Sequence, residues 1–154
     1  MTRPFALPRR GLGRLVAAVA LAGGLVAAMA SPANALAYDY TDPATTGCSA
    51  TAITVASTAV IDSRNGANVG TVELRWSTAC KTNWARVTRT DGQNALWSNV
   101  TVTRASTSDT TTFSAQGYSS IYSDQLYGQG YVVCASAMLE RPNEGGAFGE
   151  GACY

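Results

Sequence analysis

The sequence contains no histidine, and this absence removes much of the familiar catalytic chemistry. Histidine is the side chain whose ordinary pKa lies nearest neutrality, so the usual general base is missing. Ser-His-Asp and Cys-His nucleophilic sites and histidine-based metal hydrolases are therefore excluded. Lysine is almost absent as well, because Lys81 is the only one. The sequence also lacks a glycine-rich motif of the kind that cradles phosphates.

Only one apolar run approaches the length that inserts into a bilayer, and it lies near the start of the chain. Residues 15–30 (LVAAVALAGGLVAAMA) carry no charge and follow a segment with four arginines. The next residues, SPANALA, offer cleavage after Ala35 or Ala37. This pattern predicts a secretory signal peptide over residues 1–37 rather than a membrane anchor, and hence a secreted, extracellular protein. An adjacent arginine pair leaves both the general secretory and the twin-arginine routes open.

The residues after the signal have few charges and a slight acidic excess. Cleavage after Ala37 leaves 117 residues, which is one ordinary domain with a single core. The signal holds four of the 11 basic residues and none of the ten acidic ones, so seven basic residues face ten acidic ones, a formal charge of −3. We therefore expect a monomer that binds neither nucleic acid nor an anionic membrane.

Four cysteines follow the signal, and an even number in an exported chain indicates two disulfides. Three pairings are available to Cys48, Cys80, Cys134 and Cys153. We favour Cys48–Cys80 and Cys134–Cys153, because each closes a moderate loop that neighbouring strands allow. A zinc site is disfavoured, since the sequence has neither a C-x-x-C motif nor a histidine. We expect no metal and no cofactor.

The residues after Thr51 are rich in Thr, Val, Ser, Tyr and Trp, which favours strands over helices. Turn signals such as Asn65-Gly66 and Asp91-Gly92 recur every ten to fifteen residues. The sequence therefore predicts a small antiparallel β-sandwich or barrel over residues 48–154, preceded by an extended N-terminal arm over 38–47. The seven predicted strands are Ile53–Asp62, Val69–Ser77, Asn83–Thr90, Ala95–Arg104, Thr110–Ala115, Tyr131–Glu140 and Ala147–Cys153.

One of these assignments rests on a weaker pattern than the others, and one further segment stays unassigned. Residues 50–59 (ATAITVASTA) are rich in alanine and are compatible with a helical turn, although their Thr and Val content favours a strand. Residues 119–127 are ambiguous. By contrast, Val72, Leu74 and Trp76 alternate with polar residues, which is typical of a half-buried strand.

The first candidate binding surface is a predicted hairpin in which Glu73, Arg75 and Arg86 occur close to two tryptophans. These three charged side chains can form a ligand-binding face. The simpler interpretation is a core hairpin in which Trp76 and Trp84 pack against a disulfide, with Glu73 paired to Arg75 on the exposed face.

The same hairpin carries a resemblance to a known family. Gly47-Cys48, the run VELRWS at 72–77, Cys80 and the segment T-x-W-A-R at 82–86 together resemble a secreted actinobacterial family of unknown function, described as YjfA-like. The resemblance covers roughly residues 47–153 and strengthens the pairing of Cys48 with Cys80. It implies no activity, cofactor or catalytic residue.

The second candidate surface is a tyrosine-rich segment in which glycine, serine and glutamine alternate with aromatic rings. Such rings can stack on sugar faces or contact a protein partner, where tyrosine is enriched. They can equally pack in the sheet with their hydroxyls in solvent. The segment contains Tyr118, Tyr122, Tyr127 and Tyr131.

Three reactions do not need histidine, but the sequence supports none of them strongly. A glycosidase-type carboxylate pair has six candidates, and a Ser–Lys dyad or a Lys–Asn isopeptide bond would have to use Lys81. The spacing selects no pair among the acidic residues, so we predict no enzyme and no catalytic residue. The six acidic candidates are Asp62, Glu73, Asp91, Asp109, Asp124 and Glu140.

These observations lead us to expect a secreted, non-catalytic binding domain whose partner is cell-wall or other glycan. The alternatives are a secreted protein-binding module, such as an inhibitor of an extracellular hydrolase, and a minor structural protein of the envelope. An inhibitor would present residues 140–148, with Arg141 as its anchor. The predicted ligand-binding residues are Tyr118, Tyr122, Tyr127, Glu73, Arg75 and Arg86.

Overall fold

The computed structural model describes residues 36–94, 96–141 and 145–154, and these form an all-β fold. The predicted signal peptide lies outside the described residues, apart from its last two. The described part contains no helix that is long and apolar enough to span a membrane. A short 3₁₀ helix over Cys48–Thr51 precedes the sheet. The nine strands are β1 (Ala52–Asp62), β2 (Asn68–Ser77), β3 (Thr82–Arg89), β4 (Trp97–Arg104), β5 (Asp109–Gln116), β6 (Ser120–Tyr122), β7 (Leu126–Tyr127), β8 (Val133–Glu140) and β9 (Gly146–Cys153).

All nine strands belong to one antiparallel sheet that curls into a nearly closed barrel. The strand order is β5-β4-β8-β9-β1-β2-β3-β6, and β7 pairs with the beginning of β3. The curl leaves β5 and β6 as the two ends of this order. The prediction of an all-β sandwich or barrel is thus confirmed, and β6 and β7 occupy the segment that the sequence left ambiguous.

The core follows from the period-two alternation of the strands. Val72 and Leu74 on β2 face Val87 and Ala85 on β3, and all four are buried. The residues between them along each strand point outward. The other fully buried core residues include Val60, Val100, Val102, Leu126, Val133, Leu139 and Ala147.

Both predicted disulfides are present, and none of the described cysteines is free. Cys48–Cys80 joins the 3₁₀ helix to the connection between β2 and β3, across 32 residues of chain. Cys134–Cys153 joins β8 to β9, where the two residues are register partners. Disulfides of this kind are typical of an oxidising compartment.

The segment 38–47 is not the extended arm that the sequence predicted. It forms consecutive turns and makes one β-bridge, between Thr41 and Gln125. The buried side chain of Gln125 holds it there: Nε2 donates to Thr41 and Thr46, while Oε1 accepts from Thr82 on β3. These polar side chains bond to the barrel rather than to solvent, which folds the segment back onto the barrel.

The interpretation of this segment as a core hairpin holds for Glu73 and Arg75, which form an ion pair at 3.9 Å, but its two tryptophans lie on opposite faces. Trp84 is the register partner of Arg75, so it shares the outer face with Arg75 and Arg86. Trp76 lies opposite Asn83, on the other face. Trp84 is nevertheless buried, because the turns of segment 38–47 and the 3₁₀ helix cover it.

Candidate functional site

The two candidate surfaces that the sequence suggested separately meet on the structure. Strand β6 pairs with β3 in a register that places Tyr122 beside Arg86. Arg86 in turn lies opposite Glu73 on β2. Four of the six predicted ligand-binding residues, Tyr122, Arg86, Glu73 and Arg75, are thus assembled on one outer face, and Tyr118 lies two residues before β6. The exception is Tyr127.

Tyr122 lies between two pockets, since its side chain lines both of them. The first, which we call the seam pocket, has a volume of about 360 Å³ and lies between the free ends of the sheet order. Strand β5 contributes Phe113, and β6 contributes its three residues. Tyr118 is 60% exposed and Tyr122 39%, so both rings are accessible to a ligand. The complete lining is Asp42, Phe113, Tyr118, Ser120, Ile121, Tyr122 and Asp124.

The second pocket, which we call the arginine pocket, has a volume of about 270 Å³. Its floor is Trp84, and Arg75, Arg86 and Tyr122 form one side. The opposite side belongs to the segment that the Cys48–Cys80 disulfide attaches to the barrel. That side consists of Pro43, Ala44 and Ser49, and Ala52 at the start of β1 adjoins Arg75.

A polar network fixes the charged side chains of the arginine pocket. The Glu73 carboxylate accepts bonds from Arg86, at 2.6 Å, and from Thr54, at 2.8 Å. Burial opposes ionisation of Glu73, but the bonds from Thr54 and Arg86 prevail and lower the pKa of its carboxyl group. Arg75 donates to Thr54 and to the Ala52 carbonyl oxygen, at 3.1 Å for the latter. The guanidinium groups are therefore held in place before any ligand arrives.

The seam pocket has the opposite electrostatic character, because two carboxyl groups line it. Burial and the neighbouring charge of Asp42 raise the pKa of Asp124. Burial raises the pKa of the Tyr122 hydroxyl too, and both carboxylates add to the effect. Asp42 is fixed by its own turn, where Oδ1 accepts the backbone amides of Ala44 and Thr45.

Two residues that the sequence singled out lie elsewhere. Tyr127 lines neither pocket: its ring packs edge-on against Tyr131 at 6.2 Å, and its hydroxyl donates to Gln129. Arg141, the anchor expected for an inhibitor, forms ion pairs with Asp62 and Asp91. Its side chain is therefore committed to contacts within the domain.

Most of the other lining residues were missing from the predicted site, among them Trp84, Phe113 and Asp42. Trp84 could have been added, since it has the same parity as Arg86 along β3. Phe113 and Asp42 carried no such signal, because their positions depend on how the barrel closes and how segment 38–47 folds back. Within the described residues there is no group of three or more side chains suited to hold a metal.

Comparison with known proteins identifies the family of the chain but gives no activity. No curated protein and no solved structure matches it. A family model described as a protein of unknown function, DUF2690, matches residues 36–136. The match covers the turns that hold Asp42, strands β1 to β7 and both pockets. The chain therefore belongs to the DUF2690 family of proteins of unknown function.

Proposed function

We propose that this protein is a secreted, non-catalytic binding domain that recognises cell-wall glycan through the face around Tyr122. The proposal includes export by the signal peptide over residues 1–37 and the finer assignment to a YjfA-like actinobacterial family. The observation that carries it is the position of Tyr122, an exposed ring that forms the shared wall of two pockets.

The chemistry on either side of this ring suits a sugar chain. Tyr118 and Phe113 add apolar surface in the seam pocket, against which the faces of sugar rings can pack. The arginine pocket offers fixed hydrogen-bond donors to sugar hydroxyls. Mostly apolar walls with a few oriented polar groups are the usual composition of a small-molecule site. Two adjacent pockets also match a ligand made of repeated units.

Cosedimentation with insoluble bacterial cell wall tests the proposal, using residues 36–154 and soluble wall glycan as competitor. We expect the protein to pellet and the competitor to release it. Tyr122→Ala should weaken binding at least about tenfold, because it removes the ring that both pockets share. Tyr122→Phe should retain most of the binding if ring packing dominates.

Tyr131→Ala is the matched control. Tyr131 is 39% exposed, the same as Tyr122, but it lines neither pocket. Equal losses in the two alanine variants would contradict the assignment of the site. If the protein stays in the supernatant with every wall preparation, the proposal that its ligand is cell-wall glycan is wrong.

A protein partner is the second candidate function, and a different surface favours it. Trp97, Met138 and Phe148 are 48%, 41% and 45% exposed, and they line a third pocket beside the connection between β8 and β9. Apolar surface of this kind is common at protein interfaces. If affinity capture from culture fluid recovers one partner, and Phe148→Ala but not Tyr122→Ala abolishes capture, this second function is favoured.

A further inference from the structure

The seam pocket contains acidic groups that the protein itself leaves without a counter-charge. In the part of the chain that the structure describes, neither Asp42 nor Asp124 forms an ion pair. Both are nevertheless partly buried, and they lie close enough for the charge of one to raise the pKa of the other. Five other acidic residues each pair with at least one arginine: Asp39, Asp62, Glu73, Asp91 and Asp109.

The two carboxylates are also accessible, because the pocket lies at the only interruption of the barrel among the described strands. Strand β5 pairs with β4 alone, and β6 pairs with β3 alone. Phe113 on β5 and Tyr122 on β6 therefore border an open groove rather than a sealed interior. A ligand can enter here without displacing a strand.

Aromatic rings beside carboxylates form a suitable environment for an organic cation. Tyr118, Tyr122 and Phe113 line the pocket together with Asp42 and Asp124. A protonated amine gains from the faces of such rings and from charge-assisted hydrogen bonds to carboxylates. A neutral ligand would leave the two negative charges uncompensated.

We propose that the glycan unit bound in the seam pocket carries a free, protonated amino group, as a deacetylated amino sugar does. This inference rests on the proposed glycan-binding function and specifies its ligand. The amine would lie between Asp42 and Asp124, with its sugar ring against Tyr122. Adjacent units of the chain would extend into the arginine pocket.

The test compares two oligosaccharides of equal length, one of glucosamine and one of N-acetylglucosamine, by calorimetric titration into residues 36–154. At about pH 6 an amino group is protonated, whereas its acetylated form is neutral. We expect the glucosamine chain to bind more tightly. Asp42→Asn and Asp124→Asn should each weaken that binding about two- to fivefold and leave the acetylated chain unaffected.

The variants are chosen so that loss of folding does not imitate loss of binding. Asn at position 42 keeps an oxygen that can accept the amides of Ala44 and Thr45. Glu150→Gln is the matched control, since it removes the same charge from an exposed position on β9, between β8 and β1 in the sheet. A cooperative thermal unfolding transition at or above the temperature of the parent confirms an intact fold in each variant.

Three results would overturn the inference that the bound glycan unit carries a protonated amino group. Equal affinity for the two oligosaccharides would overturn the inference and leave the proposed function standing. Equal effects of Glu150→Gln and Asp124→Asn would overturn it too, since the preference would then reflect net charge alone. If neither oligosaccharide binds and the protein also fails to pellet with cell wall, the inference and the proposed function fall together.

Discussion

Two regions of the barrel contain clusters of charged residues, but only one of them pairs its carboxylates with arginines. At one end, Asp62 and Asp91 are joined through Arg141, and each also pairs with the arginine nearest to it in sequence. We call this region the ion-pair end. Its Arg89 is 1% exposed and also donates to the carbonyl oxygens of Trp97 and Glu140. Its charges link the ends of β1, β3 and β8 to the start of β4.

At the seam pocket, by contrast, two carboxylates share one space without an arginine. At the ion-pair end, Asp62 and Asp91 both have arginine partners, so neither carboxylate is left for a ligand to neutralise. The two carboxylates of the seam pocket have no arginine partner among the described residues, and the pocket is also open to solvent. The number of charged residues therefore does not distinguish the two regions. The seam pocket differs in having unpaired carboxylates beside accessible aromatic side chains, and this is why we place the proposed ligand there.

The largest effect is expected at the ion-pair end, and Arg86 of the arginine pocket, on the same strand as Arg89, provides the comparison. Arg89→Ala should lower the free energy of unfolding by about 3–5 kcal/mol, because it removes one of the two arginines that pair with Asp91 and leaves two partly buried carbonyl oxygens without their side-chain donor. Arg86→Ala should cost less than about 1 kcal/mol, since that side chain is 39% exposed. Urea denaturation of both variants measures the difference. Similar losses would mean that the ion-pair end is not the stabilising element we describe.

Removal of either disulfide is expected to have the next largest effect on stability. On the loop-entropy model, each bridge contributes about 3–4 kcal/mol, because the closed loops contain 32 and 19 residues. The double variant Cys48→Ala/Cys80→Ala should in addition weaken glycan binding, since that bridge attaches one side of the arginine pocket. Cys134→Ala/Cys153→Ala should spare binding at a temperature where the variant is still folded. The reverse pattern would contradict our account of the pocket wall.

The smallest effect concerns a charge whose removal should stabilise the protein. Burial and the charge of Asp42 raise the pKa of Asp124 in the folded state above its unfolded value. The free energy of unfolding therefore falls as the pH rises from the unfolded pKa through the folded pKa and Asp124 becomes ionised. Asp124→Asn should therefore be more stable than the parent at about pH 7, by less than about 1 kcal/mol, and equal to it near pH 3.

Asp91→Asn should change the free energy of unfolding in the opposite direction, and it is measured in the same experiment. Burial opposes ionisation of Asp91, but bonds from Arg89 prevail and lower the pKa of its carboxyl group. The ionised Asp91 carboxylate stabilises the folded state above the unfolded pKa, and this stabilisation is lost as the pH falls through the folded pKa. Denaturation at the two pH values should thus show Asp91→Asn destabilised at about pH 7 and less so near pH 3. A gain at neutral pH in both variants would contradict the contrast between paired and unpaired carboxylates.

The sequence was sufficient for most of the barrel and for only part of the site. All seven predicted strands exist, because alternation and turn chemistry act over a few residues, as at Gly66, which adopts a φ of 74°. Tyr122, Arg86 and Glu73 were predicted as ligand-binding residues from two separate segments, and their meeting on one face depended on the β3–β6 register. Tyr127 was placed with them because it lies near Tyr122 in sequence, although its strand pairs with the other end of β3.

The sequence by itself determined that this domain is all-β, carries two disulfides and has no histidine. Those properties follow from composition, local periodicity and the count of cysteines, which do not require knowledge of distant contacts. Only the tertiary structure decided where the barrel stays open, that turns of segment 38–47 cover Trp84, and that Asp42 and Asp124 share a pocket. The fold of segment 38–47 in particular arises from contacts between residues 43 to 84 positions apart. No short-range pattern records such contacts, so the candidate site became visible only once the barrel was complete.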